Sequence, residues 1–151
     1  MKFRVLIVGQ SRCQWADAGV KEYTKRLRRF GGVKEEYVRA EPFRGDVEAV
    51  RLAESQRLMK LFRQDRVVAL DERGVEKDTF GFRDVVDRGR RDGTLVFVVG
   101  GPYGLHQIVR AKAWRVVRLS SMVLNHDLAR LVLYEQLYRS MTIIQGVPYH
   151  H

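Results

Sequence analysis

The chain has 151 residues, 45% hydrophobic and 30% charged, which suits a single globular domain over residues 1–151 with a real core. Its net charge is +10, and 21 of its 28 cationic residues are arginine. That points to a polyanionic partner, because guanidinium meets phosphate through two N–H groups at once. The lone Cys13 excludes an internal disulfide and a thiolate metal cluster, so no metal is expected. No apolar run approaches the ~20 residues of a membrane span and nothing reads as a signal peptide, so a reducing cytoplasm is the expected home.

The apolar pattern alternates short β-branched runs with longer helical stretches. Residues 2–8 read as a buried strand. A helix over 14–29 follows, with Trp15, Ala18, Gly19, Tyr23 and Leu27 as its apolar side. A second strand is expected over 33–38. Pro42 and Gly45 break the chain before Asp46, a good cap for a helix to about Phe62, with Val47, Val50, Ala53, Leu58, Leu61 and Phe62 facing inward. Residues 66–70 form a third strand, 71–77 a charged loop, and 80–91 another helix. The run 94–99 is the most strongly β-like in the chain. A glycine-rich turn, a short helix over 105–113 and a fifth strand over 114–119 come next, and Asn125 caps a long last helix to about Ile144. Such alternation indicates an α/β fold with a mostly parallel sheet and ligands beyond the carboxyl ends of the strands, here Leu70, Gly100 and Leu119. No repeat or linker divides the chain.

Four segments have residue types suited to chemistry. Gly100-Gly101-Pro102-Tyr103-Gly104 serves either a tight turn or a ligand approaching bare backbone. It has the spacing of neither a dinucleotide fingerprint nor a P-loop. The mixed apolar and small segment from Leu119 to Leu124 either covers core or wraps a ring. His126 and Arg130 share one face at the start of the last helix, as a cap and an ion pair or as site residues. The tail Val147-Pro148-Tyr149-His150-His151 is either a frayed end or a stacking ring, a hydroxyl and an imidazole held together.

Taken jointly, GGPYGL, RLSSMVLNHDLARLVLYEQLYRSMTI and the PYH tail are far more specific. With the KFRVLIVGQ opening, the KEYTKRL helix and the VVALDERG strand, the whole chain resembles the family of 23S rRNA pseudouridine N3-methyltransferases within the SPOUT superfamily. The resemblance implies a SPOUT-type α/β knot, its C-terminal part threaded as a trefoil, although knots are very rare among folds at large. It implies a homodimer with the site at the subunit interface. S-adenosylmethionine contacts then fall on Leu70, Gly100, Leu119, Ser120, Ser121, Met122, Val123 and Leu124. The acceptor is N3 of a pseudouridine in helix 69 of 23S rRNA in the assembled ribosome. Catalytic positions by the same resemblance are His126, Arg130, Arg139, Tyr149 and His150, with Tyr149 and His150 orienting the base and Arg130 or Arg139 holding phosphate. Relatives often carry proline where this chain has Asp127. A different RNA position or a ribose as acceptor, and a non-catalytic RNA-binding module, are the competing readings.

Overall fold

A computed structural model describes residues 2–10 and 12–151. In chain order the elements are β1 (Phe3–Val8), α1 (Gln14–Leu27) running into a 3₁₀ turn (Arg28–Phe30), β2 (Val33–Val38), α2 (Val47–Met59), β3 (Arg66–Glu76), α3 (Thr79–Gly89), β4 (Leu95–Val99), α4 (Gln107–Lys112), β5 (Arg115–Arg118) and α5 (His126–Gln145). The strands form one parallel sheet in the order β2-β1-β4-β3-β5. Because side chains alternate along a strand, each central strand feeds two cores. Phe3, Val5 and Ile7 of β1 and Phe97 of β4 pack with α1, α3 and α5. Leu6, Val8, Val96 and Val98 face the other way, toward α2 and α4. Strands buried on both faces explain their unbroken apolar runs.

Helix starts follow the sequence closely, since short polar side chains satisfy orphan amides there. Asp46 Oδ1 accepts from the Glu48 and Ala49 N–H groups at 3.0 and 3.3 Å, and Asn125 Oδ1 accepts from Asp127 N–H at 2.8 Å. Two expectations need correction. The inward side of α1 is Ala16, Gly19, Val20, Tyr23 and Leu27, whereas Trp15 is 57% exposed and Ala18 also faces out. Helix α2 buries Glu54 and Ser55 alongside Val50 and Leu58, while Val47 and Ala53 are only half-buried.

The expected charged loop after Leu70 is also not a loop. Strand β3 continues to Glu76 through an irregularity, with both Leu70 and Val75 in register with Val117 of β5. Residues 71–74 have no partner in register on β5, the strand bulging there, and Gly74 brings the chain back hard against β5. A Cβ on Gly74 would stand 2.7 Å from backbone atoms of Val116 and Val117, a contact that only glycine avoids. The trefoil expected of the C-terminal part is consistent with β5 lying outside β3 while α5 crosses back to pack on both α3 and α1. Among the described residues no helix is long and apolar enough to cross a membrane.

Candidate functional site

A cavity with a volume near 700 Å³ opens at the carboxyl ends of β3, β4 and β5. One wall is Leu70 and the bulged Asp71, Glu72 and Arg73. A second is Val99 with the glycine turn, where Gly104 has φ +82° and hydrogen-bonds through its N–H to the Gly101 carbonyl at 2.9 Å. The third is the segment from Leu119 through Asn125, leading into His126 and Ala129 at the start of α5. Of the expected cofactor residues, Leu70, Gly100, Leu119, Ser120, Met122, Val123 and Leu124 all line this cavity. Ser121 lies exposed in the same turn, and the lining is formed by its neighbours.

Charge at this cavity is of both signs. Arg110 pairs with Asp71 at 3.2 Å, with both side chains nearly buried, and donates to the Leu105 carbonyl at 3.0 Å. This ties the bulged segment to the glycine turn. Arg118 pairs with Glu76 at 2.8 Å on the rim. Sequence reading did not single out Asp71 or Arg110. The available signal was an acidic residue immediately after a strand ending in the sheet.

Behind the glycine turn, Glu54 is 2% exposed. Its Oε2 accepts from Glu41 N–H at 3.1 Å, and its Oε1, without a hydrogen-bond partner among the described residues, lies beside Gly101. Burial pushes this carboxyl above its ordinary range.

The expected catalytic residues divide between the two ends of α5. His126 is at the cavity, with its Nε2 3.6 Å from Asp127 Oδ2. One turn on, Arg130 is 4% exposed. Its Nε and Nη2 donate to the two Glu35 oxygens at 2.7 and 2.8 Å, and its Nη1 donates to Asp17 Oδ1 at 2.7 Å. That bidentate pair joins α5 to the edge strand β2 and to α1, so Arg130 faces protein and not the cavity. Burial alone would raise the Glu35 carboxyl, but the Arg130 guanidinium and the Tyr37 hydroxyl outweigh it and hold it below its usual range.

Arg139, Tyr149 and His150 gather at the other end. Arg139 pairs with Glu135 at 2.6 Å, lies over the Tyr149 ring at 4.7 Å, and approaches His150 Nδ1 at 3.0 Å. Tyr149 donates to Glu135 at 3.1 Å, shares a 3.3 Å hydrogen bond with Tyr23, and packs edge-on to Tyr138; Phe80 packs edge-on to His150. Burial, with Tyr23 and Glu135 adding to it, pushes the Tyr149 phenol up, so it stays protonated at any physiological pH. The tail is thus a built cluster and not a frayed end. Glu135 and Tyr23 are its anchors.

A doubly covered parallel sheet carries a glycine turn and a ring-sized cavity at its carboxyl edge, and sequence comparison supplies the class of protein that this arrangement serves. A family model described as "Predicted SPOUT methyltransferase" matches residues 1–150, and the chain belongs to that family. Full-length relatives include proteins called ribosomal RNA large subunit methyltransferase H. That of Geotalea daltonii is 41% identical, with all of both chains covered, and that of an Anaeromyxobacter species is 43% identical, with 99% of each covered. Among solved structures, a probable methyltransferase from Bordetella pertussis aligns with a TM-score of 0.60 at 15% identity over 93% of this chain and 94% of that one. At such identity the match speaks for the fold.

The family's methyl donor is S-adenosylmethionine, and the cavity fits it. Its volume suits a ligand of that size. Met122 and Val123, 74% and 80% exposed, offer apolar surface for an adenine. The glycine turn offers main-chain groups, and Asp71, Glu72 and Arg73 offer charge for an amino-acid moiety. Among the described residues no group of His, Cys, Asp or Glu is arranged to hold a metal ion.

Proposed function

We propose that the chain methylates N3 of a pseudouridine in helix 69 of 23S ribosomal RNA, in the assembled ribosome, acting as a cytoplasmic homodimer. The full-length likeness to proteins named for large-subunit rRNA methylation carries this reading, and the net charge of +10 suits an RNA substrate. The pseudouridine and its ring nitrogen come from the resemblance in the tail and the last helix.

The division of the site supports the dimer. His126 and Arg139 stand on one helix about 20 Å apart along its axis, at a rise of 1.5 Å per residue. A second copy packed across α5 would bring its tail cluster to this cavity, so that each site takes the cofactor half from one protomer and the acceptor half from its partner.

Bound S-adenosylmethionine supplies a methyl already activated on a sulfonium. The chain then has to place N3 in line with it and accommodate loss of the N3 proton. Arg139 has only donors, so its contact with His150 Nδ1 makes that nitrogen the acceptor and leaves Nε2 as the ring's donor. His150 thus presents a donor, and the protonated Tyr149 is no base. Both residues orient the ring. Donors and the nearby Arg139 cation favour the ring anion, whose charge spreads onto the flanking carbonyl oxygens, and the proton leaves to water. Arg130 serves by holding the start of α5, and Arg139 is the arginine placed to meet RNA.

The test is incubation with labelled S-adenosylmethionine and, separately, whole ribosomes lacking the modification, free 23S rRNA and small subunits. Label confined to whole ribosomes is the expected result. Label on none, with the cofactor bound, contradicts the proposal.

A further inference from the structure

We propose that Phe43 and Tyr103 form a nucleobase-stacking platform at the mouth of the cofactor cavity, which grips the RNA beside its target nucleotide. This rests on the RNA reading above and adds a substrate contact to it. The two rings belong to different segments, Phe43 to the stretch before α2 and Tyr103 to the glycine turn. They lie nearly parallel, with centroids 5.6 Å apart and an interplanar angle of 24°. Both remain open to solvent, at 52% and 38% exposure, although no core needs them there.

The platform is held in place. Arg51 Nε donates to the Tyr103 carbonyl at 2.6 Å, fixing the turn against α2. Tyr103 itself lines the cavity, so the exposed rings begin where the cavity ends. Arginines stand near it: Arg44 follows Phe43 and is exposed, Arg73 lines the cavity rim, and Arg51, on the same rim, pairs with Glu48. A flat aromatic surface among guanidinium groups suits an unpaired base and its flanking phosphates, since any base can stack and arginine supplies the phosphate contacts. A base stacked there would enter the site from the glycine-turn side, leaving the His126 side to the partner's tail.

The experiment measures KM for unmodified whole ribosomes with Phe43→Ala, Phe43→Leu and Phe43→Trp. Phe43 lines no part of the cavity, so S-adenosylmethionine affinity by calorimetry, melting temperature and sedimentation mass should all match the parent. Stacking predicts a KM about tenfold higher for both Ala and Leu, and a Trp variant equal to or better than the parent. An unchanged KM in Phe43→Ala overturns the platform, as does Leu behaving like Phe. A changed sedimentation mass in Phe43→Ala assigns the surface to a second copy of the chain and also overturns it. If the parent labels no ribosomes, co-sedimentation with ribosomes reads the same contact without catalysis, and weaker binding by Phe43→Ala then supports the platform while the proposed reaction fails. A parent that neither labels nor binds ribosomes overturns both.

Discussion

Arg130 and Arg139 share one helix and occupy opposite surroundings. Arg130 is buried against Glu35 and Asp17, while Arg139 stands beside the tail and its histidine. Removing one partner of a buried pair leaves the other charge uncompensated, which costs about 3 kcal/mol. Glu35→Gln should therefore lower stability by about that much at pH 7, as read by denaturant unfolding. The sign with pH follows from the depressed Glu35 carboxyl. Its contribution is complete above the ordinary value of 4.5 and fades as pH falls through the lower folded value, so variant and parent should converge in acid. Tyr149 makes the other residue-scale prediction. Its phenol is pushed up by burial, Tyr23 and Glu135, so Tyr149→Phe should reduce kcat several-fold without changing the shape of the pH–rate profile. Loss of an alkaline limb in the variant would assign the phenol to proton transfer. Residue types were legible in the sequence here, but their partners were not. Glu35 reaches Arg130 across 95 positions of chain, a pairing that only the folded sheet creates.

Helix caps and strand cores could be read in advance because each depends on neighbours within a few residues, as Asp46 and Asn125 illustrate. The fate of residues 71–77 could not. Their charge pointed to a loop, yet Val75 and Glu76 rejoin β5, and only the tertiary pairing with Val117 and Arg118 reveals it. The exposure of Trp15 likewise depends on where α5 packs and not on the spacing within α1. Gly74 is the hinge of the bulged segment, so Gly74→Ala should force the backbone of β5 away, at a cost of about 1–3 kcal/mol. It should also weaken S-adenosylmethionine binding through displaced Asp71 and Arg73. Calorimetric affinity and thermal melting check both effects, and a variant with unchanged affinity would separate the bulge from the cavity.

Across the whole molecule, the sequence indicated a basic α/β domain and, through resemblance, a two-chain site. Within a single chain, Arg139, Tyr149 and His150 do not line the cavity proposed to hold the cofactor, and on the proposed reading a second copy supplies them. Mixing a Tyr149→Ala variant with a Gly100→Val variant should therefore restore activity that neither has alone. Mixed dimers would carry one intact site each, giving about a quarter of the parent's sites after random exchange. No recovery would mean that each chain completes its own site.

The position of the transferred methyl decides whether this chain modifies N3 of a pseudouridine. Ribosomal RNA labelled by the purified chain would be digested and the modified nucleoside identified by mass spectrometry. The expected product is N3-methylpseudouridine from the helix 69 hairpin. A methyl on a ribose, on another base or on another stretch of RNA would contradict it.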